Sequence, residues 1–175
     1  MHGADGRPSG MTTSTRTPKA LLLDDDPTAL RLLGTALQDR GFEVRAAVDG
    51  EAGTALLVDE LLDLDVLVVD SDLPGRDARG LLHLVRWAGG ERDLGVVVLA
   101  SGPDAATRDA LLALGADAVV DRRAGHAVAV EAIAAIARRA SLPARLVAHA
   151  ARPALRGVLA LAGALTPARL LPAAA

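Results

Sequence analysis

Asp65-Val66-Leu67-Val68-Val69-Asp70 is a run of four β-branched or aliphatic residues with a carboxylate at either end. A strand of one sheet with a solvated face alternates apolar and polar residues; an unbroken apolar run suits a central parallel strand covered on both faces. Parallel strands need crossovers, so the flanking sequence should carry helices. It does. Ala20-Leu21-Leu22-Leu23 is a second such run and ends in Asp24-Asp25-Asp26. Pro27 suits a first helical position, Asp26 suits its cap, and Leu30, Leu33 and Leu37 follow at helical spacing until Gly41 stops the helix. Phe42 to Ala46 reads as a half-exposed strand, Asp49-Gly50 as a turn, and Ala52, Leu56 and Leu57 as the apolar side of the next helix.

Beyond Asp70 the scheme repeats. Leu81, Leu82, Val85 and Trp87 mark a helix closed by Gly89-Gly90, and Gly95 to Leu99 a fourth strand. Ser101-Gly102-Pro103-Asp104 reads as a helix entry, with Ala110, Leu111 and Leu114 as its stripe and Gly115 as its stop. Ala118 to Val120 makes a short fifth strand and Ala127 to Ala140 a fifth helix. Five strand–helix units within about 120 residues imply one doubly wound parallel α/β sheet. In such a sheet, sites form outside the C-terminal strand ends. Asp24, Asp25 and Asp70 all fall there.

Composition limits the chemistry. Half of the 175 residues are apolar, mostly Ala, Leu and Val, and Phe42 and Trp87 are the only aromatics, so the core is aliphatic. A net charge of −3 argues against a general nucleic-acid binder. The absence of cysteine excludes disulfides and thiolate chemistry. Residues 1–17 are polar and read as a disordered segment without the apolar stretch of a signal peptide, and no run is long enough to span a bilayer, so a cytoplasmic protein is expected. The unit of interest is residues 18–140. Ser141 to Ala175 is an Ala/Leu/Pro/Arg-rich tail with Arg145, Arg152, Arg156 and Arg169 and no acid, cut by four prolines. It reads as short helical or disordered pieces, with no recognisable effector domain.

Three clustered carboxylates repel one another unless a cation binds. Mg²⁺ fits, because it accepts one or two carboxylates and keeps several waters. One carboxylate can then attack a phosphoryl group and form an acyl phosphate.

Six segments, Leu21 to Pro27, Gly41 to Val44, Ala47 to Ala52, Asp65 to Asp70, Leu73 to Asp77 and Gly115 to Ala118, occur in the order and near the spacings of the response-regulator receiver family of two-component signalling, which this chain resembles over about two-thirds of its length. The resemblance implies a flavodoxin-like (βα)5 fold and a regulatory module rather than an enzyme. It implies that Asp70 accepts a phosphoryl group, that Asp25 and Asp70 bind Mg²⁺ directly and Asp24 indirectly, and that the backbone carbonyl of Asp72 is a further ligand. The donor would be a histidine kinase or histidine phosphotransfer protein, and the output a contact with a downstream protein effector. A homodimer through the fourth helix, fifth strand and fifth helix, or through the tail, is compatible with the same pattern.

Three positions depart from that pattern, so the chain resembles an atypical, partly degenerate receiver. The hydroxyl residue expected at the end of the fourth strand is Ala100, and Ser101, one residue on, should point the other way. The aromatic residue of the fifth strand is Val119. The Lys-Pro pair is Arg122-Arg123, and a planar guanidinium is no simple substitute for an ammonium. Arg122 stands where the family lysine contacts the phosphoryl group. Two alternatives therefore stay open: a pseudo-receiver that binds its partner without phosphorylation, or a phosphohydrolase using Asp70 and Asp72 in an Asp-x-Asp arrangement similar to haloacid-dehalogenase-like enzymes. His83, Trp87 and His126 have no partner at ligand spacing and read as packing or surface residues.

Overall fold

A computed structural model describes residues 16–61, 63–74, 78–89 and 94–140, with side chains of 87–89 excepted. The strands are β1 (Lys19–Leu23), β2 (Glu43–Ala47), β3 (Val66–Asp70), β4 (Gly95–Ala100) and β5 (Ala118–Asp121). The helices are α1 (Pro27–Gln38), α2 (Gly50–Glu60), α3 (Ala78–Gly89), α4 (Ala105–Ala113) and α5 (His126–Ala140). All neighbouring strands are parallel, in the order β2-β1-β3-β4-β5. This is the doubly wound parallel sheet that the apolar runs imply, in the flavodoxin-like order that the resemblance implies.

Every residue of β3 and β4 is buried. Alternate side chains enter opposite layers, as the strand's period of two requires. Leu21, Leu23, Leu67, Val69, Val96, Val98 and Ala100 join the layer containing Leu57, Leu81, Leu82 and Leu111 from α2, α3 and α4. Leu22, Val66, Val68, Val97 and Leu99 join the layer containing Leu33, Leu37, Val130 and Ile133 from α1 and α5. Each fully buried Leu or Val contributes about 1.5–3 kcal/mol relative to exposure, so the central strands anchor whatever their ends carry. Gly53 lets α2 approach β1 closely: a Cβ there would lie 2.6 Å from Leu23 Cδ2.

Several element ends differ from the sequence reading. Asp49-Gly50 is a helix start rather than a free turn, because the Asp49 carboxylate accepts from Ala52 N at 2.7 Å and caps α2. Phe42 precedes β2; its N–H closes the α1 exit on Leu37 O (3.1 Å), and pairing instead runs to Ala47. Asp121 extends β5, and a 3-10 turn at Arg122–Ala124 precedes α5. At the opposite end, Arg16, assigned above to the N-terminal segment, donates to Asp65 Oδ2 at 2.7 Å. Residues 1–15, Gly75 to Asp77 of the Leu73–Asp77 motif, Gly90, the Trp87 side chain and the tail 141–175 lie outside the described residues. Among the described residues no helix is long and apolar enough to cross a membrane.

Candidate functional site

In the order β2-β1-β3 the chain runs from β1 outward to β2 and then crosses back to β3 on the other side of β1, so the direction of winding reverses between β1 and β3. The crevice therefore opens at the C-terminal ends of β1 and β3. Asp70 is the last residue of β3, held in register opposite Leu99. Asp24 follows β1, and its N–H prolongs the β1–β2 ladder to Ala47 O at 3.2 Å. Its Oδ1 accepts from Asp26 N at 2.9 Å, and this bend frees Asp26 to cap α1 through Thr28 N at 2.8 Å. Asp24 and Asp70 are buried, at 4% and 6% exposure, while Asp25 faces solvent. Carboxylate oxygens of the three lie within 4.8 Å of one another.

Asp70 has a raised pKa. Burial is the main cause; repulsion from Asp24 and Asp72 adds to it, and together these outweigh the lowering by Arg122 and by the Asp72 backbone N–H. Arg122 bridges two members of the cluster, Asp24 and Asp70. Its Nη2 donates to Asp24 Oδ2 and forms an ion pair with Asp70 Oδ1 at 3.0 Å. Burial depresses its pKa, but the charges of Asp24 and Asp70 more than restore it, so it stays charged. Its Nε is buried without a hydrogen-bond partner. The donor set fits a hard divalent ion: it offers oxygen only, the charge is negative, and exposed Asp25 leaves one side open for water.

Around this cluster the departures noted in the sequence take physical form. Ala100 is buried in the same layer as Val119 and Leu111, so no hydroxyl stands at the end of β4. Ser101 is exposed, as expected from a one-residue shift. With Ser71, Asp72 and Thr107 it lines an open cleft of about 460 Å³ beside the acidic cluster. Asp72 is exposed in the loop after β3, where its carboxylate accepts from Ser71 Oγ at 3.3 Å. His83 and His126 are exposed and belong to no metal-holding group among the described residues. Asp121, which periodicity and motif spacing do not single out, also lies beside the site, accepting from Gly102 N. An acid placed directly before two arginines at a strand end was the available signal.

The comparisons agree with this geometry. The model of the response regulator receiver domain matches residues 20–134. Sensor protein GacS of Pseudomonas syringae pv. syringae is 34% identical over 111 residues, covering 62% of this chain and 12% of that protein. Transcriptional regulatory protein PrrA of Mycobacterium bovis is 32% identical over 107 residues, covering 61% and 44%. The chain thus matches only a segment of either relative. A receiver domain protein from Clostridium thermocellum superposes with a TM-score of 0.64 at 20% identity, covering 70% of this chain and 95% of that one. A chain of the CheX–CheY–BeF3–Mg²⁺ complex from Borrelia burgdorferi gives 0.63 at 17%, covering 68% and 88%. These two likenesses concern the fold alone. The chain belongs to the response-regulator receiver family of two-component signalling, whose domains bind Mg²⁺ at an acidic site and act as regulatory modules.

Proposed function

We propose that residues 18–140 form a receiver module of a phosphorelay in which Asp70 accepts a phosphoryl group from a partner phosphohistidine. The observation that carries this reading is the cluster itself: Asp70 ends a wholly buried strand, with a second buried carboxylate and an exposed third within 4.8 Å. An Asp70 oxygen attacks phosphorus, the P–O bond forms, and the P–N bond breaks. Its electron pair leaves on the imidazole, which takes up a proton. Asp25 and Asp70 would hold Mg²⁺ directly, with Asp24 behind them and the Asp72 carbonyl as a further ligand. Bound there, the ion offsets charge on the phosphoryl oxygens. Arg122 supplies a second positive charge at the same oxygens once its contacts to Asp24 and Asp70 loosen. The donor would be a histidine kinase or histidine phosphotransfer protein in the cytoplasm, and the output a protein contact.

A pseudo-receiver is the second reading, favoured by Arg122 bridging Asp24 and Asp70 and by the missing hydroxyl at Ala100. Intact-mass spectrometry after treatment with a small phosphodonor and Mg²⁺ separates the two. One added phosphoryl group, absent from Asp70→Asn, is expected. An unchanged mass with every donor tried, including a phosphorylated histidine phosphotransfer domain, refutes phosphorylation and leaves the pseudo-receiver.

A further inference from the structure

The acidic cluster and the loop after β4 are joined by a group that the mechanism above does not use. Asp121 Oδ1 accepts three donors: Gly102 N at 3.0 Å, Arg123 N at 3.0 Å and Arg123 Nε at 3.3 Å. The Arg123 N–H bond caps the 3-10 turn Arg122–Ala124, whose first residue reaches Asp24 and Asp70. Gly102 N belongs to the loop between β4 and α4, next to Ser101. Gly102 has a φ of +61°, and a Cβ there would fall 1.2 Å from Arg123 Nη2, so the guanidinium lies across the bare glycine. In the sheet itself Asp121 is the ladder partner of Ala100. Neither the Ala100 methyl nor the buried Val119 can carry a polar signal between the two loops. A single carboxylate oxygen hydrogen-bonds to both instead.

We propose that Asp121 is a positioning residue that couples the placement of Arg122 in the acidic cluster to the loop Ser101–Asp104. When Arg122 is drawn off Asp24 and Asp70, the turn that begins with it shifts. Asp121 Oδ1 cannot follow Arg123 N and keep Gly102 N, because hydrogen bonds weaken steeply with misalignment. The loop it releases is one wall of the 460 Å³ cleft, facing Ser71 and Asp72. Occupancy of the cluster is thereby converted into the shape of a solvent-open cleft that a partner protein can read. The coupling rests on the cluster being the regulated site.

Amide NMR on the full chain tests it. In the wild-type background, Mg²⁺ addition and the Arg122→Ala substitution should each shift the amides of Ser101 and Gly102 together with those of Asp24 and Asp70. In an Asp121→Ala background, Asp24 and Asp70 should respond as before, while the response at Ser101 and Gly102 falls by about threefold or more, as for a broken pairwise coupling. Asp121→Asn keeps an acceptor oxygen and should restore the response, which a merely structural role would not predict. An undiminished response at Gly102 in Asp121→Ala overturns the proposal, as does a wild-type Gly102 that is silent to Arg122→Ala while Asp24 and Asp70 move. The Arg122→Ala arm decides the coupling even if neither Mg²⁺ nor a phosphodonor acts, a result that would instead count against the proposed function.

Discussion

The two ends of this sheet both pair aspartate with arginine, to opposite effect. At the N-terminal strand ends, buried Asp65 accepts from Arg16 Nη2 and Lys19 N, each at 2.7 Å. Nearby, Arg86 donates to Gly115 O at 2.9 Å, Leu94 O at 3.1 Å and Asp117 Oδ2 at 2.9 Å, while Asp117 also accepts from Val96 N at 2.7 Å. There the side chains close the backbone starts of β1, β4 and β5, and the charges are spread over several partners. At the C-terminal ends two buried carboxylates share one guanidinium, whose Nε has no partner. One end is saturated; the other is left short of positive charge, as a cation site requires.

This contrast can be broken at either end. The largest expected effect is at the saturated end. Asp65→Ala strands the Lys19 N–H and releases the half-exposed Arg16, and should cost about 1–3 kcal/mol in urea unfolding, the range for leaving a buried donor unsatisfied. A loss under about 0.5 kcal/mol, the scale of an ordinary surface substitution, would show that this end is no more saturated than the other.

An intermediate effect is expected from the shared arginine. In the proposed function Arg122 and a divalent ion compete for Asp70, with Asp24 behind it, so Arg122→Ala should tighten Mg²⁺ binding about tenfold by calorimetry, equivalent to about 1.4 kcal/mol. Weaker binding in the variant would show that the guanidinium supports the metal site rather than occupying it.

The smallest effect has the opposite sign. The folded state binds the Asp70 proton more tightly than the unfolded chain does, so stability falls as pH rises from the ordinary carboxylate range through the raised pKa. Above that window the loss persists at full size. Asp70→Asn removes the charge and should raise Tm at pH 7, with the advantage disappearing as the pH drops below the ordinary carboxylate range. A lower Tm for Asp70→Asn at pH 7 would mean that its contact with Arg122 outweighs its burial.

Much of this molecule is legible locally. Val66 to Val69 and Ala20 to Leu23 announce buried parallel strands because their apolarity is unbroken, and the spacing of Leu30, Leu33 and Leu37 announces the helix between β1 and β2. Asp26 reads as a cap and is one, since capping depends on its immediate neighbours. Asp24, Asp25 and Asp70 could be gathered in advance because each stands at or just past a strand end, and a parallel sheet brings those ends together. Asp49-Gly50 is the instructive failure: one dipeptide suits a turn and a helix start equally, and only the carboxylate's bond to Ala52 N distinguishes them.

The sequence by itself thus determined the strand runs, the helices between them and the three acids at one end of the sheet, because these follow from periodicity and from the parallel topology. Tertiary structure alone decided that Arg122 lies between Asp24 and Asp70, that Asp121 ties Gly102 to the turn carrying Arg122, and that Arg16 and Lys19 N close on Asp65. These contacts join residues from 19 to 98 positions apart. A long side chain's partner at such separation is set by which strand ends lie side by side, and no local pattern encodes it.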